Sequence, residues 1–145
     1  MHHPVKSILL KMCLAFAALL TCALDAASMD GVVVIANKSV QADSITAAAL
    51  KDIFTGRTTY WQDGQSVIIA VMADNTDAAL KEISGLDASQ FRTFWQRLVF
   101  SGRGQQPRKA DNASALVALV ASTKGAVAIV PADTETEGVK KLEVK

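Results

Sequence analysis

Val32-Val33-Val34-Ile35-Ala36 (VVVIA) is a run of five apolar residues, four of them β-branched, with no polar residue among them. It is too short for a helix, and strict alternation is missing, so it reads as a strand buried on both faces. Asn37, Lys38 and Ser39 end it. Two further runs have the same character: residues 67–71 (VIIAV) and 126–130 (AVAIV), the last followed by Pro131. Between the first two lies residues 46–54, where Leu50, Ile53 and Phe54 share one helical face. Ser44 or Thr46 can cap its start and Gly56 can stop it. Doubly buried strands separated by amphipathic helices define an α/β domain whose central, mostly parallel sheet is covered by helices on both sides.

The remaining elements follow from the same signals. Residues 76–84 form a weaker helix that Asn75, Thr76 or Asp77 can cap and Gly85 can end. Asp87 or Ser89 starts the clearest helix of the chain, with Phe91, Phe94, Trp95, Leu98 and Val99 on one stripe and Arg92, Gln96 and Arg97 turned outward. Trp95 belongs to the core on this reading, and Trp61, beside Tyr60, folds back on the 53–54 helix end or serves a surface contact. Residues 101–109 (SGRGQQPRK) read as a polar loop. Asp111 or Asn112 caps a helix carrying Ala113, Leu116, Val117 and Val120 on one face, and residues 139–144 alternate weakly, as an edge strand does. Asp63, Asp74 and Asp77 read as turn and cap residues, since no calcium-loop spacing joins them.

Of the 145 residues, the first 28 have the parts of a cleavable export signal: a basic start at Lys6 and Lys11, an apolar stretch through residues 12–24, and small residues Ala26, Ala27 and Ser28 before Met29. Thirteen residues at 1.5 Å rise reach about 20 Å, short of a roughly 30 Å hydrocarbon core, so an uncut anchor is the poorer reading. A lipid anchor at Cys22 is disfavoured because Thr21 precedes it. Residues 29–145 then form one domain with 13 basic and 13 acidic residues. A chain without basic surplus is a poor partner for nucleic acid. All of its histidines and cysteines (His2, His3, Cys13, Cys22) fall in the leader, so the domain lacks the means for Ser-His-Asp or Cys-His catalysis, structural zinc, haem or iron–sulfur ligation, and disulfide stapling. No cofactor or metal is expected, and no enzyme activity.

Three stretches in order resemble a known family. They are residues 45–56 with Trp61 (ITAAALKDIFTG…W); Phe94 and Trp95 through Phe100-Ser101-Gly102-Arg103-Gly104 with Pro107; and Gly125 through Val130 (GAVAIV). In that order and spacing the chain is similar to the small exported solute-binding proteins of phosphate ABC transporters. The resemblance implies one lobe of a periplasmic-binding-protein-like fold, phosphate or a related oxyanion as ligand, an ABC permease or other envelope protein as partner, and a periplasmic location. It leaves open whether two lobes pair as a homodimer. Larger members carry a Ser-Gly-Thr turn after the strand that matches residues 67–71; here the residues are Asp74-Asn75-Thr76-Asp77. An oxyanion site needs free N–H groups at a helix start, hydroxyls and an arginine, which nominates Asn75 and Thr76, Arg103 between its two glycines, and Ser39 at the end of the first strand. The competing reading is a single-lobe envelope interaction module that has lost ligand binding, whose mark is an exposed apolar patch.

Overall fold

The computed structural model describes residues 31–73 and 77–145; the expected leader, with Cys22, lies outside them. Among the described residues six strands and four helices follow one another: β1 Val32–Ala36, β2 Ser44–Ile45, α1 Ala47–Phe54, β3 Ile68–Met72, α2 Asp77–Ser84, α3 Ala88–Phe100, β4 Arg108–Ala110, α4 Ala113–Ser122, β5 Ala126–Pro131 and β6 Lys140–Val144. They form one sheet in the order β2-β6-β1-β5-β3-β4. β3 is parallel to both β4 and β5, and β2 is parallel to β6. β1 alone runs against its neighbours β5 and β6, so five strands share a direction and the mostly parallel sheet is as expected.

The period of two along each strand explains why the sequence runs are continuously apolar. On one face Val34, Ala36, Ile69, Val127 and Ile129 meet Leu50, Ile53 and Phe54 of α1, Leu80 and Ile83 of α2, and Phe91 and Trp95 of α3. On the other, Ile35, Ala70, Ala126, Ala128 and Val130 meet Leu116, Val117 and Val120 of α4. The second face is built largely of alanines, so a single helix lies close to the sheet. The first carries the large rings: Phe91 stands 6.1 Å from Trp95 and 6.5 Å from Phe54, centroid to centroid. Trp95 is core as expected, and its Nε1 donates to Phe54 O at 3.1 Å.

The caps follow the side-chain chemistry. Thr46 Oγ1 accepts from Ala49 N–H at the start of α1, and Asn112 Oδ1 from Ala115 N–H at the start of α4. Asp87 and Gln90 form a reciprocal capping box on α3. Asn37 is, with Ser84, one of two buried polar residues among the described residues. Its Nδ2 donates to Val120 O and Ala121 O in the last turn of α4, where Val120 O also accepts from Thr123 N–H.

Two expectations need correction. Arg108 and Lys109, expected as the end of the 101–109 loop, belong instead to β4, because the next residue, Ala110, is buried against α4 and the strand pairs with β3 from Ala70 to Met72. The last strand is not at an edge: β6 lies between β1 and β2, Leu142 is buried, and Lys140 reaches Asp43 at 2.8 Å. The edges are instead β2 and β4, of two and three residues, lengths too short to recruit another strand readily. Among the described residues no helix is long and apolar enough to cross a membrane.

Candidate functional site

In an α/β sheet, ligands settle beyond the carboxyl ends of the parallel strands. At that end of β3 the chain reaches Ala73, whose N–H donates to Ala110 O, and it resumes at Asp77, the first residue of α2. Asn75 and Thr76 lie between them, outside the described residues. Beside this point is a recess of about 60 Å³ bounded by Met72 of β3 and the following Ala73, Leu80 of α2, Phe91 and Arg92 of α3, and Lys109 of β4. The local folding that brings the two cations together is simple. Strand alternation puts Ala110 against α4 and therefore Lys109 on the opposite face, which α3 covers; Arg92 follows one turn after the capping box. Both side chains are exposed, and no carboxylate lines the recess among the described residues. The space is several times the roughly 10–15 Å³ needed to admit one water, which suits a small ligand such as one oxyanion.

The other nominated residues lie elsewhere. Because β1 is the antiparallel strand, its carboxyl end meets the amino ends of β5 and β3, and Ser39 lies there rather than at the ligand edge. Its Oγ accepts from Gly125 N–H at 3.1 Å and donates to Gln65 Oε1 at 3.2 Å, so the hydroxyl ties β1 to the entries of β5 and β3. Arg103 also sits toward the amino end of β3, in a larger cleft of about 240 Å³ that it shares with Ser66, Val67, Ile68 and Ile69. Thus Ser39 and Arg103 do not join the recess at Met72 and Ala73. Trp61, half-buried, packs toward the α1–α3 side and donates from Nε1 to Gly125 O at 2.9 Å.

Sequence reasoning missed Arg92 and Lys109. Arg92 read as an outward helix residue, and Lys109 as loop. The available signal was local charge: residues 88–110 hold Arg92, Arg97, Arg103, Arg108 and Lys109 and no acid, an imbalance that the neutral whole-domain count averages away. Among the described residues no cluster of His, Cys, Asp and Glu suits a metal ion.

A family model for the PBP superfamily domain matches residues 25–143, and the chain belongs to that family. Solved structures with the same fold include one from Clostridium perfringens, assigned as a phosphate ABC transporter substrate-binding protein and holding bound phosphate, at 20% identity and a TM-score of 0.62 over 79% of this chain and 44% of that one. A phosphate-binding protein from Stenotrophomonas maltophilia matches at 20% identity and TM-score 0.55, covering 79% and 39% of the two chains. An ABC-type phosphate transport receptor from Vibrio cholerae matches at 17% and 0.53, covering 79% and 46%. The chain spans less than half the length of each. No curated protein matches it.

Proposed function

We propose that this lobe binds phosphate or a related oxyanion, without catalysis, as an exported component working with an ABC permease. The observation that carries the reading is the recess at the carboxyl end of β3: it has room for one oxyanion, two cations at its rim, and no described acid in its lining. Family membership supports the class, and the phosphate named for the solved relatives supports the ligand. In this reading Asn75 and Thr76 present N–H groups and a hydroxyl where β3 leads into α2, while Arg92 and Lys109 supply charge. Nothing in the site calls for a bond to be broken.

Calorimetric titration of phosphate into the protein, repeated with sulfate, tests it. Ligand at about 100 times its dissociation constant adds roughly 2.7 kcal/mol and raises the melting temperature by several degrees. Arg92→Gln with Lys109→Gln should abolish most of that heat. Absence of heat at millimolar phosphate sinks the proposal and favours the interaction module, for which Phe100, 97% exposed, is the specific observation.

A further inference from the structure

The larger cleft shares Trp95 and Gln106 with the recess at Met72 and Ala73 but opens along the amino half of β3, and its lining has a different character. β4 pairs with β3 only along Ala70–Met72, so the chain before Arg108 leaves the edge of β3 uncovered toward its amino end. On the same edge Tyr60 bridges Ser66, and Val67 N–H donates to Thr59 O at 2.9 Å, which brings residues 58–60 up beside the strand. The gap between residues 58–60 and 102–106 is the cleft of about 240 Å³. Ile53, Ile69 and the ring of Trp95 contribute its apolar surface.

Its polar lining comprises Thr58, Thr59, Ser66, Arg103, Gln105 and Gln106. Among the described residues, none of these six side chains bonds any other part of the chain, and no carboxylate lines the cleft. The backbone behind them is fixed. Arg103 N–H donates to Leu98 O and Gly102 N–H to Val99 O, the paired bonds of a Schellman end on α3. Gly104 then lies so close to the Trp95 ring that a Cβ there would stand 2.9 Å from it. Arg103 is thereby held at the mouth by two anchored neighbours, and a ligand would meet a frame that needs little ordering.

Volume separates the ligand from a bare oxyanion. The cleft, at about 240 Å³, has four times the volume of the 60 Å³ recess, room for a ligand well beyond the size of phosphate. One cation calls for one anionic group, which a guanidinium grips bidentately; three hydroxyls and two amides offer both donors and acceptors to neutral hydroxyl groups. We propose that the cleft between residues 58–60 and 102–106 binds a small polyhydroxylated organic anion, of the size and chemistry of a hexose phosphate or a sugar acid, with Arg103 holding its charged group.

The test is an amide-resolved NMR titration of the whole protein with glucose 6-phosphate, gluconate, glucose and inorganic phosphate. Glucose 6-phosphate or gluconate should give saturable shifts at residues 58–60, 66 and 102–106, with affinity about tenfold or more above that of glucose or inorganic phosphate at the same amides. Arg103→Gln should weaken this binding about tenfold with the melting temperature unchanged, and Arg103→Lys should keep part of it. The proposal is overturned by absence of saturation at those amides up to about ten millimolar of both charged probes, by equal binding of inorganic phosphate or glucose there, or by an Arg103→Gln protein that binds as before. Shifts at Arg92 and Lys109 read the phosphate recess instead, and they persist in Arg103→Gln, so either site can fail without the other.

Discussion

Phe54-Thr55-Gly56-Arg57 and Phe100-Ser101-Gly102-Arg103 end two helices with the same four-residue chemistry. Both close with the same bonds: Gly56 N–H to Ile53 O and Arg57 N–H to Asp52 O in α1, Gly102 N–H to Val99 O and Arg103 N–H to Leu98 O in α3. Yet Phe54 is 1% exposed and Phe100 97%. Local sequence sets how a helix stops, and it does so twice alike; what the last apolar side chain touches is decided by the layer the helix lies in. The end of α1 is pressed onto α3, with Gly56 against Leu98 and Trp95 and the carbonyl of Phe54 taken by the Trp95 indole. The end of α3 runs past the sheet and delivers its arginine to a cleft.

The comparison breaks most visibly at the two rings. Phe54→Ala should cost about 3–5 kcal/mol in urea unfolding, whereas Phe100→Ala should stay within about 0.5 kcal/mol. A large loss at Phe100 would mean that its end is packed after all. The glycines sharpen the next level. With φ of +71° and +74°, Gly56→Ala and Gly102→Ala should each lose about 1–2 kcal/mol from the left-handed backbone alone. Any excess at Gly56 measures how far Leu98 Cδ1, 2.7 Å from the added Cβ, can give way. Smaller again are the arginines. Arg57 stands 3.9 Å from Asp52 with both side chains well exposed, so Arg57→Ala should change stability by less than about 1 kcal/mol, and Arg103→Ala, which has no chain partner to lose, by no more.

A pair away from both helix ends sets the floor. The Asp43 carboxyl is held below its ordinary value, first by the hydrogen bond from Lys140 and then by that residue's charge. A lowered folded-state value means that the carboxylate's contribution is present above the unfolded range, near pH 3.9, and fades as pH falls through the lowered value. Asp43→Asn should therefore melt slightly below the parent protein at neutral pH and coincide with it in strong acid. A gap that persists in acid would assign the effect to something other than the charge pair.

Much of this architecture was legible because the physics is local. The runs at residues 32–36 and 126–130 read as doubly buried strands, and Thr46, Asp87 and Asn112 were each one of two cap candidates, between which only the structure chooses. What escaped depended on distant partners. Residues 108–110 have only Ala110 to mark them as strand until β3 is beside them, and the weak alternation of residues 139–144 gives no hint that β1 and β2 will flank it. The site was harder still. Ser39 looked available because a strand's carboxyl end is a common place for ligands, but the direction of β1 reverses that argument. Arg103 was singled out by its glycines, while only the three-dimensional register shows which end of β3 it faces.

The placement of β6 has a consequence for the order of assembly. β1 finds its partners in residues 127–131 on one side and 140–142 on the other, so nearly the whole domain must be traversed before its first strand is paired. Such long-range pairing slows folding, toward milliseconds to seconds rather than microseconds, because loop closure comes before the contacts that reward it. Through that interval VVVIA offers two bare, strongly apolar edges, so a segment paired on both sides in the finished molecule is a hazard in the unfinished one.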